Sequence, residues 1–243
     1  MPLSPNGYEA ILFDLDGTIR HLPDSPAALF FKYCAELGLQ FGDDALHRLV
    51  RWQHAYWADN DQINADRARG EDEFWIELAR KELCFLSVTS DVDAHARTLT
   101  DRFREYYENT MGITHADTLP TLRTLRKAGF TVGLVSNRPY PLDEQVTELE
   151  LEGLFHFTLS AGEANSWKPD PEIFALALEM AGARAEATVY VGDNYYADVV
   201  GARGAGLTPV LFDPHEFFPE VDCTRIAALS DVLRWLGGAG ALT

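Results

Sequence analysis

An α/β fold is predicted by three features of the sequence: a buried strand that stops at paired aspartates, a long stretch that is helical throughout, and a second half in which strands and helices alternate. Together they describe a Rossmann-like core on a parallel sheet, with an all-helical cap domain inserted near its start. Residues 8–13 (YEAILF) are an apolar run that breaks at Asp14, the pattern of a fully buried strand. Ser25 followed by Pro26 reads as an N-cap with proline at the first helical position, and apolar spacing carries that helix to Leu37. Gly42-Asp43-Asp44 opens a second helix ending near Asn60; a third covers residues 72–83, and a fourth, capped by Ser90, runs to about Tyr107. Residues 21–110 are therefore read as the inserted cap, and residues 1–20 with 111–243 as the core.

Past the cap the rhythm changes. A helix over 119–128 closes at Gly129, and TVGLV over 131–135 is a β-branched strand ending at Ser136-Asn137. There follow a helix near 143–149, a short strand near 157–159, a helix over 171–181 stopped by Gly182, and a strand over 188–191 (TVYV) that ends at Gly192-Asp193. A helix to about Ala205, a strand over 208–211, and a last strand and helix over 224–226 and 230–236 complete the series; residues 237–243 read as a frayed tail.

Composition narrows the function. A chain of 243 residues buries roughly 70–75% of its unfolded surface, so it needs no disulfide or structural metal. Hydrophobic residues at 47% and charged residues at 24% exclude disordered, collagen-like and coiled-coil chains. Acidic residues outnumber basic ones 38 to 20, for a net charge of −18. That field repels nucleic acid and anionic membranes as partners, so an anionic ligand needs a positive site built against the background. Cys34, Cys84 and Cys223 lack disulfide-framework or zinc spacing and read as reduced core thiols. With no secretory leader pattern and no apolar run near the ~20 residues of a membrane span, the expected location is cytoplasmic. No signal of oligomeric state is present.

Parallel sheets bind ligands beyond the carboxyl ends of their strands. At those ends the sequence places Asp14 and Asp16, then Ser136 and Asn137, then Asp193 and Asn194, with Lys168 in a loop (SWKPDP) before a helix. Crowded carboxylates raise one another's pKa unless a cation intervenes, and magnesium takes such oxygen ligands. Lysine is a point-charge partner for phosphate, and a serine hydroxyl can donate to the same oxygens. Carboxylate nucleophile, hard metal and lysine together point to phosphoryl transfer.

These residues resemble a known family. FDLDGT (13–18), VSN (135–137), KPDP (168–171) and GDNYYAD (192–198) are similar, in order and in place, to the four motifs of the haloacid dehalogenase-like superfamily. The resemblance implies that Asp14 is the nucleophile that forms an aspartyl-phosphate and that Asp16 is the general acid, then the base for water. It implies that magnesium is held by Asp14, Asp193 and the backbone carbonyl of Asp16. Thr18, Ser136, Asn137 and Lys168 would form the phosphate-binding set, with Thr18 also orienting Asp16. Asn194 and Asp198 would support them, Asp198 by fixing the lysine or the metal's surroundings. The second aspartate favours phosphate esters, because members that cleave carbon–halogen or carbon–phosphorus bonds lack it.

The expected function is thus a magnesium-dependent phosphomonoesterase acting on a small phosphorylated metabolite. The alternatives are a phosphomutase using the same aspartyl-phosphate, or a non-catalytic phosphate-binding or scaffold protein. Each motif has a plainer reading on its own: Asp-Gly pairs make turns, Ser-Asn enters helices, and a lysine is usually solvated. The four in register outweigh them. In the cap, the helical spacing of Trp52, Tyr56, Trp57, Phe74 and Trp75 favours core packing. His21 reads as a solvated loop histidine. Arg67 and Arg69, placed in a polar loop between cap helices, are the candidate readers of a second anionic group on the substrate.

Overall fold

The computed structural model describes residues 7–237; the tail expected over 237–243 lies outside these from residue 238 on. Two compact units are present, one ending at His21 and resuming at Ile113, the other Leu22–Gly112.

The first unit is built on a six-stranded sheet, parallel throughout, as the alternation predicts. Its strands are β1 (Ala10–Phe13), β4 (Thr131–Ser136), β5 (Phe157–Ser160), β6 (Thr188–Gly192), β7 (Thr208–Phe212) and β8 (Thr224–Ile226), in the order β5-β4-β1-β6-β7-β8. Side chains alternate across the pleat and both faces are covered. Ile11, Phe13, Val132, Leu134, Val189 and Val191 join one apolar core, while Leu12, Val135 and Tyr190 join the other. Helices α6 (Thr118–Lys127) and α11 (Asp231–Gly237) contribute Leu122, Leu125, Val232 and Leu236 to the first core, and α9 (Pro171–Ala181) contributes Ile173, Phe174 and Ala177 to the second. Smaller elements complete the unit: α7 (Asp143–Glu148), α8 (Ala161–Ala164), a π-helical turn over Tyr195–Val200 and α10 (Gly201–Gly204).

Two strands have no counterpart in the sequence reading. β2 (Arg20–His21) and β3 (Ile113–Thr114) form an antiparallel ribbon where the chain leaves and re-enters this unit. His21 is therefore a strand residue, half-buried and stacked on His115 with ring centroids 4.2 Å apart, instead of a solvated loop histidine.

The second unit consists of α1 (Pro26–Glu36), α2 (Ala45–Tyr56), α3 (Asn60–Arg67), α4 (Glu71–Phe85) and α5 (Val92–Asn109). Ser25 caps α1 as expected, accepting a hydrogen bond from the Ala28 N–H at 3.2 Å. The helix expected to reach Asn60 ends at Tyr56, and Asp59 caps a new one by accepting from the Gln62 N–H at 3.0 Å. The cap of α5 is Asp91, in a left-handed conformation, and not Ser90. Phe30, Cys34, Leu49, Leu83, Ala96 and Leu99 form its core. Tyr56 and Phe74 are buried beside it with Trp52 and Trp57 packed on them, whereas Trp75 stays partly exposed. Cys34 is a buried core thiol as expected, whereas Cys84 is exposed and Cys223 only half-buried. Among the described residues no helix is long and apolar enough to cross a membrane.

Candidate active site

β4, β1 and β6 lie side by side, and the register sets Phe13 against Leu134 on one side and Val191 on the other. The residues that follow leave the same edge together: Asp14 after β1, Ser136 as the buried last residue of β4, and Asp193 one residue beyond β6. The chain runs from β1 outward through β4 to β5 and then crosses to β6 on the other side, so this edge lies at a reversal of strand order. Such sheets bind ligands there.

Lys168 arrives from the loop between α8 and α9 and is almost wholly buried. Its Nζ lies 2.6 Å from Asp14 Oδ1, 2.7 Å from Asp198 Oδ1 and 3.0 Å from Tyr190 Oη. Burial alone would neutralise this lysine, but the charges of Asp14 and Asp198 prevail and hold its pKa well above the ordinary value. Its backbone is fixed by Asn137, whose Nδ2 donates to the Lys168 carbonyl at 2.9 Å and whose Oδ1 accepts from the Lys168 N–H at 2.7 Å. Asn137, expected in the phosphate-binding set, thus spends its amide on placing the lysine. Both oxygens of Asp198 are engaged too, since its Oδ2 accepts the Asn194 N–H at 2.9 Å. Asn194 itself caps the π-helical turn through the N–H groups of Tyr196 and Ala197, both at 3.0 Å.

One carboxylate oxygen from each of Asp14, Asp193 and Asp198 falls within 4.8 Å of the others, the one such acidic group among the described residues. Three carboxylates against one ammonium leave two negative charges uncompensated. Burial, then the charges of Asp198 and Asp16, pushes Asp14 up to about 7 even with Lys168 opposing. Asp193 is likewise raised, by burial and then by Asp14 and Asp198. Asp14 Oδ2 is buried without a hydrogen-bond partner. Gly17 (φ +89°) leaves the chain room beside Asp193, whose carboxylate a Cβ there would strike. An all-oxygen donor set carrying an excess charge of −2 fits a divalent hard cation such as magnesium. With Asp198 committed to Lys168 and Asn194, Asp14 and Asp193 are the carboxylates with capacity left for it.

The Asp16 carboxylate stands outside this cluster. Arg138 grips it with both prongs, Nε to Oδ2 at 2.7 Å and Nη2 to Oδ1 at 2.9 Å, and Arg20 Nη1 adds a 2.9 Å bond to Oδ1. Burial pulls this carboxyl upward, but the hydrogen bonds and charge of Arg138 with the charge of Arg20 hold it below the usual carboxylate range. Thr18, expected to orient Asp16, does not: its hydroxyl is buried without a hydrogen-bond partner, and the two arginines orient Asp16 instead. Arg67 is the last residue of α3, not a loop residue, and lies 5.3 Å from the Phe74 ring centre; Arg69 pairs with Glu77 at 3.4 Å.

Sequence reasoning passed over Arg20, Arg138 and Tyr190. Arg138 carried a signal, as a basic residue directly after a strand-ending Ser-Asn in an acidic chain. So did Tyr190, whose hydroxyl in an otherwise apolar buried strand demands a partner.

A model of the haloacid dehalogenase-like hydrolases matches residues 8–206. The chain is 29% identical over 224 residues to a ribulose-1,5-bisphosphate 5-phosphatase of Halopiger xanaduensis, covering 90% of this chain and 89% of that one. It is 28% identical over 204 residues to a phosphoglycolate phosphatase of Photorhabdus laumondii, covering 82% and 78%. Among solved structures it is similar in fold, at 19% identity, to the magnesium-bound HAD-hydrolase YfnB of Bacillus subtilis, with a TM-score of 0.60 over 94% of this chain and 98% of that one.

Proposed function

The chain belongs to the haloacid dehalogenase-like hydrolase family, and on that premise we propose that it is a magnesium-dependent, cytoplasmic phosphomonoesterase acting on small phosphorylated metabolites. The observation that carries the reading is the buried Asp14–Lys168–Asp198 chain, in which Lys168 engages one oxygen of Asp14 and leaves Oδ2 without a hydrogen bond. A carboxylate held by one oxygen and bare at the other is a positioned nucleophile. The relatives named as phosphatases support the reaction class, and the presence of Asp16 argues for ester cleavage over dehalogenation.

In the first step Asp14 Oδ2 forms a bond to phosphorus while the ester P–O bond breaks, and Asp16, protonated from solvent before the step, delivers that proton to the departing oxygen. In the second, water attacks the aspartyl-phosphate, Asp16 takes the proton, and the bond from Asp14 to phosphorus breaks to release phosphate. Lys168 neutralises charge on the phosphoryl oxygens, with Ser136 as a donor at the same edge, while Asp198 and Asn137 keep the ammonium in place. Asp14, Asp193 and the backbone carbonyl of Asp16 would hold magnesium, which supplies charge neutralisation to the carboxylates and the phosphoryl group.

Release of phosphate from p-nitrophenyl phosphate tests the reading. Activity should require magnesium, vanish in chelator, and be lost in Asp14→Asn, whose amide fills the same space but cannot attack phosphorus. Wild-type-like release by Asp14→Asn would overturn the assignment.

A further inference from the structure

Arg138 has no task in the reaction as written above, yet it determines where Asp16 points. Asp16 Oδ2 receives Arg138 Nε, and Oδ1 receives both Arg138 Nη2 and Arg20 Nη1. With the fork in place, each oxygen of the acid already accepts from a guanidinium. The backbone under the fork is firmly seated: Asn137 is clamped to Lys168, and the Arg138 carbonyl accepts the Gly162 N–H at 3.1 Å. Gly162 lies so close beneath the Pro139 carbonyl that a Cβ there would strike it. The Arg138 side chain is 29% exposed and that of Asp16 is 42% exposed. Water therefore reaches the pair, and a guanidinium grips any carboxylate or phosphate in the same two-pronged way, so another oxyanion can compete with Asp16 for the fork.

We propose that Arg138 reads the substrate: it exchanges Asp16 for an anionic group carried by the leaving group, and the exchange frees Asp16 Oδ2 to take up from solvent the proton it then delivers, while Arg20 keeps Oδ1 in place. This rests on the phosphomonoesterase reading and names its substrate class, phosphate esters whose alcohol bears a carboxylate or a second phosphate close to the ester oxygen. It also moves the reading of a second anion from Arg67 and Arg69, which are engaged with Phe74 and Glu77, to the edge of the sheet where the ester is cleaved. An ester without the second anion leaves the fork closed on Asp16 and is turned over slowly unless its leaving group needs no proton.

The test compares kcat/KM for ethyl phosphate, phosphoglycolate and ethylene glycol bisphosphate in the wild type, Arg138→Gln and Arg138→Lys. The wild type should prefer at least one of the two doubly anionic esters over ethyl phosphate by about tenfold or more. A preference confined to one of them identifies the recognised group as carboxylate or phosphate. In Arg138→Gln the preference should collapse, and in Arg138→Lys, which keeps the charge without the fork, it should return in part. Inhibition by phosphonoacetate against methylphosphonate reports the same discrimination without turnover, and should shift in parallel. Circular dichroism checks that the variants fold. An equal preference in wild type and Arg138→Gln, or none in the wild type, overturns the proposal while leaving the phosphatase reading intact. No phosphate from any ester, p-nitrophenyl phosphate included, removes both.

Discussion

Replacing Lys168 by methionine removes the ammonium but keeps most of the buried volume, so it isolates what the charge does. In the native site that charge sits 2.6 Å from Asp14 and 2.7 Å from Asp198, with all three side chains nearly free of solvent. Removing one partner of a buried pair strands the other, at a cost of about 3–5 kcal/mol. For a chain of this size each kcal/mol lowers the melting temperature by about 2–4 °C, so the variant should melt about 6–20 °C below the wild type near neutral pH. The sign with pH follows from the carboxyls. Asp14, already pushed up to about 7, and Asp193 rise further without Lys168, and their protonation relieves the repulsion. The gap between variant and wild type should therefore narrow as pH falls from 8 to about 5. Differential scanning calorimetry without added metal across that range is the assay. A variant that melts with the wild type at pH 8, or a gap that does not depend on pH, would refute the view that Lys168 neutralises the buried carboxylates.

Asp16→Asn should slow hydrolysis of an alkyl ester about 10²–10⁴-fold, the usual worth of a positioned acid–base group. The loss should be much smaller for p-nitrophenyl phosphate, whose leaving group needs little protonation, and equal losses would contradict the role of Asp16 as acid. In the helical unit, Glu82 is buried with its Oε1 accepting from Gln53 Nε2 at 2.6 Å, and burial pushes its carboxyl up to about 7 from 4.5. The folded state therefore binds a proton more tightly than the unfolded one, and stability is lost as pH rises from about 4.5 through 7, by about 3 kcal/mol in all. Glu82→Gln cannot ionise, so its melting temperature should gain on the wild type between pH 5 and pH 8; a constant offset would show that Glu82 does not titrate there.

What the sequence disclosed follows the range over which each signal acts. Strands β1, β4 and β6 were legible because a strand covered on both faces is apolar along nearly its whole length, and each run stops at polar or turn residues, Asp14, Ser136-Asn137 and Gly192-Asp193. The ribbon of β2 and β3 was not, since two-residue strands have no period to detect. The break before α3 was missed for a related reason: apolar residues continue through Trp57, and only the Asp59 cap marks the new start. Asp14, Lys168, Asp193 and Asp198 were legible through their motifs, and the structure brings them together. The handling of Asp16 was not, because Arg138 stands 122 residues away from it in the chain. Pairings of that kind are decided by the sheet register, which sets the ends of β1 and β4 side by side, and no local pattern records them.

Lys168 and Arg138, two of the cations that contact the paired aspartates, differ in the property that decides whether they can let go. Lys168 is held in a dry interior between Asp14 and Asp198, where its departure would leave two carboxylates facing each other with no water to screen them. It can move only as charge is replaced, so it belongs to the chemistry common to every ester that enters. Arg138 meets Asp16 where water reaches both partners, so its fork can pass from Asp16 to another oxyanion without stranding a charge in a dry interior. A cation of that kind can distinguish one leaving group from another, because its attachment is reversible on each encounter. In a chain whose net charge is −18, an anionic substrate is repelled by most of the surface, and a cation already bound to a carboxylate discriminates more sharply than a free one. Only a ligand whose anion competes with Asp16 for the same fork gains its full attraction, and the same competition frees the acid that its departure requires.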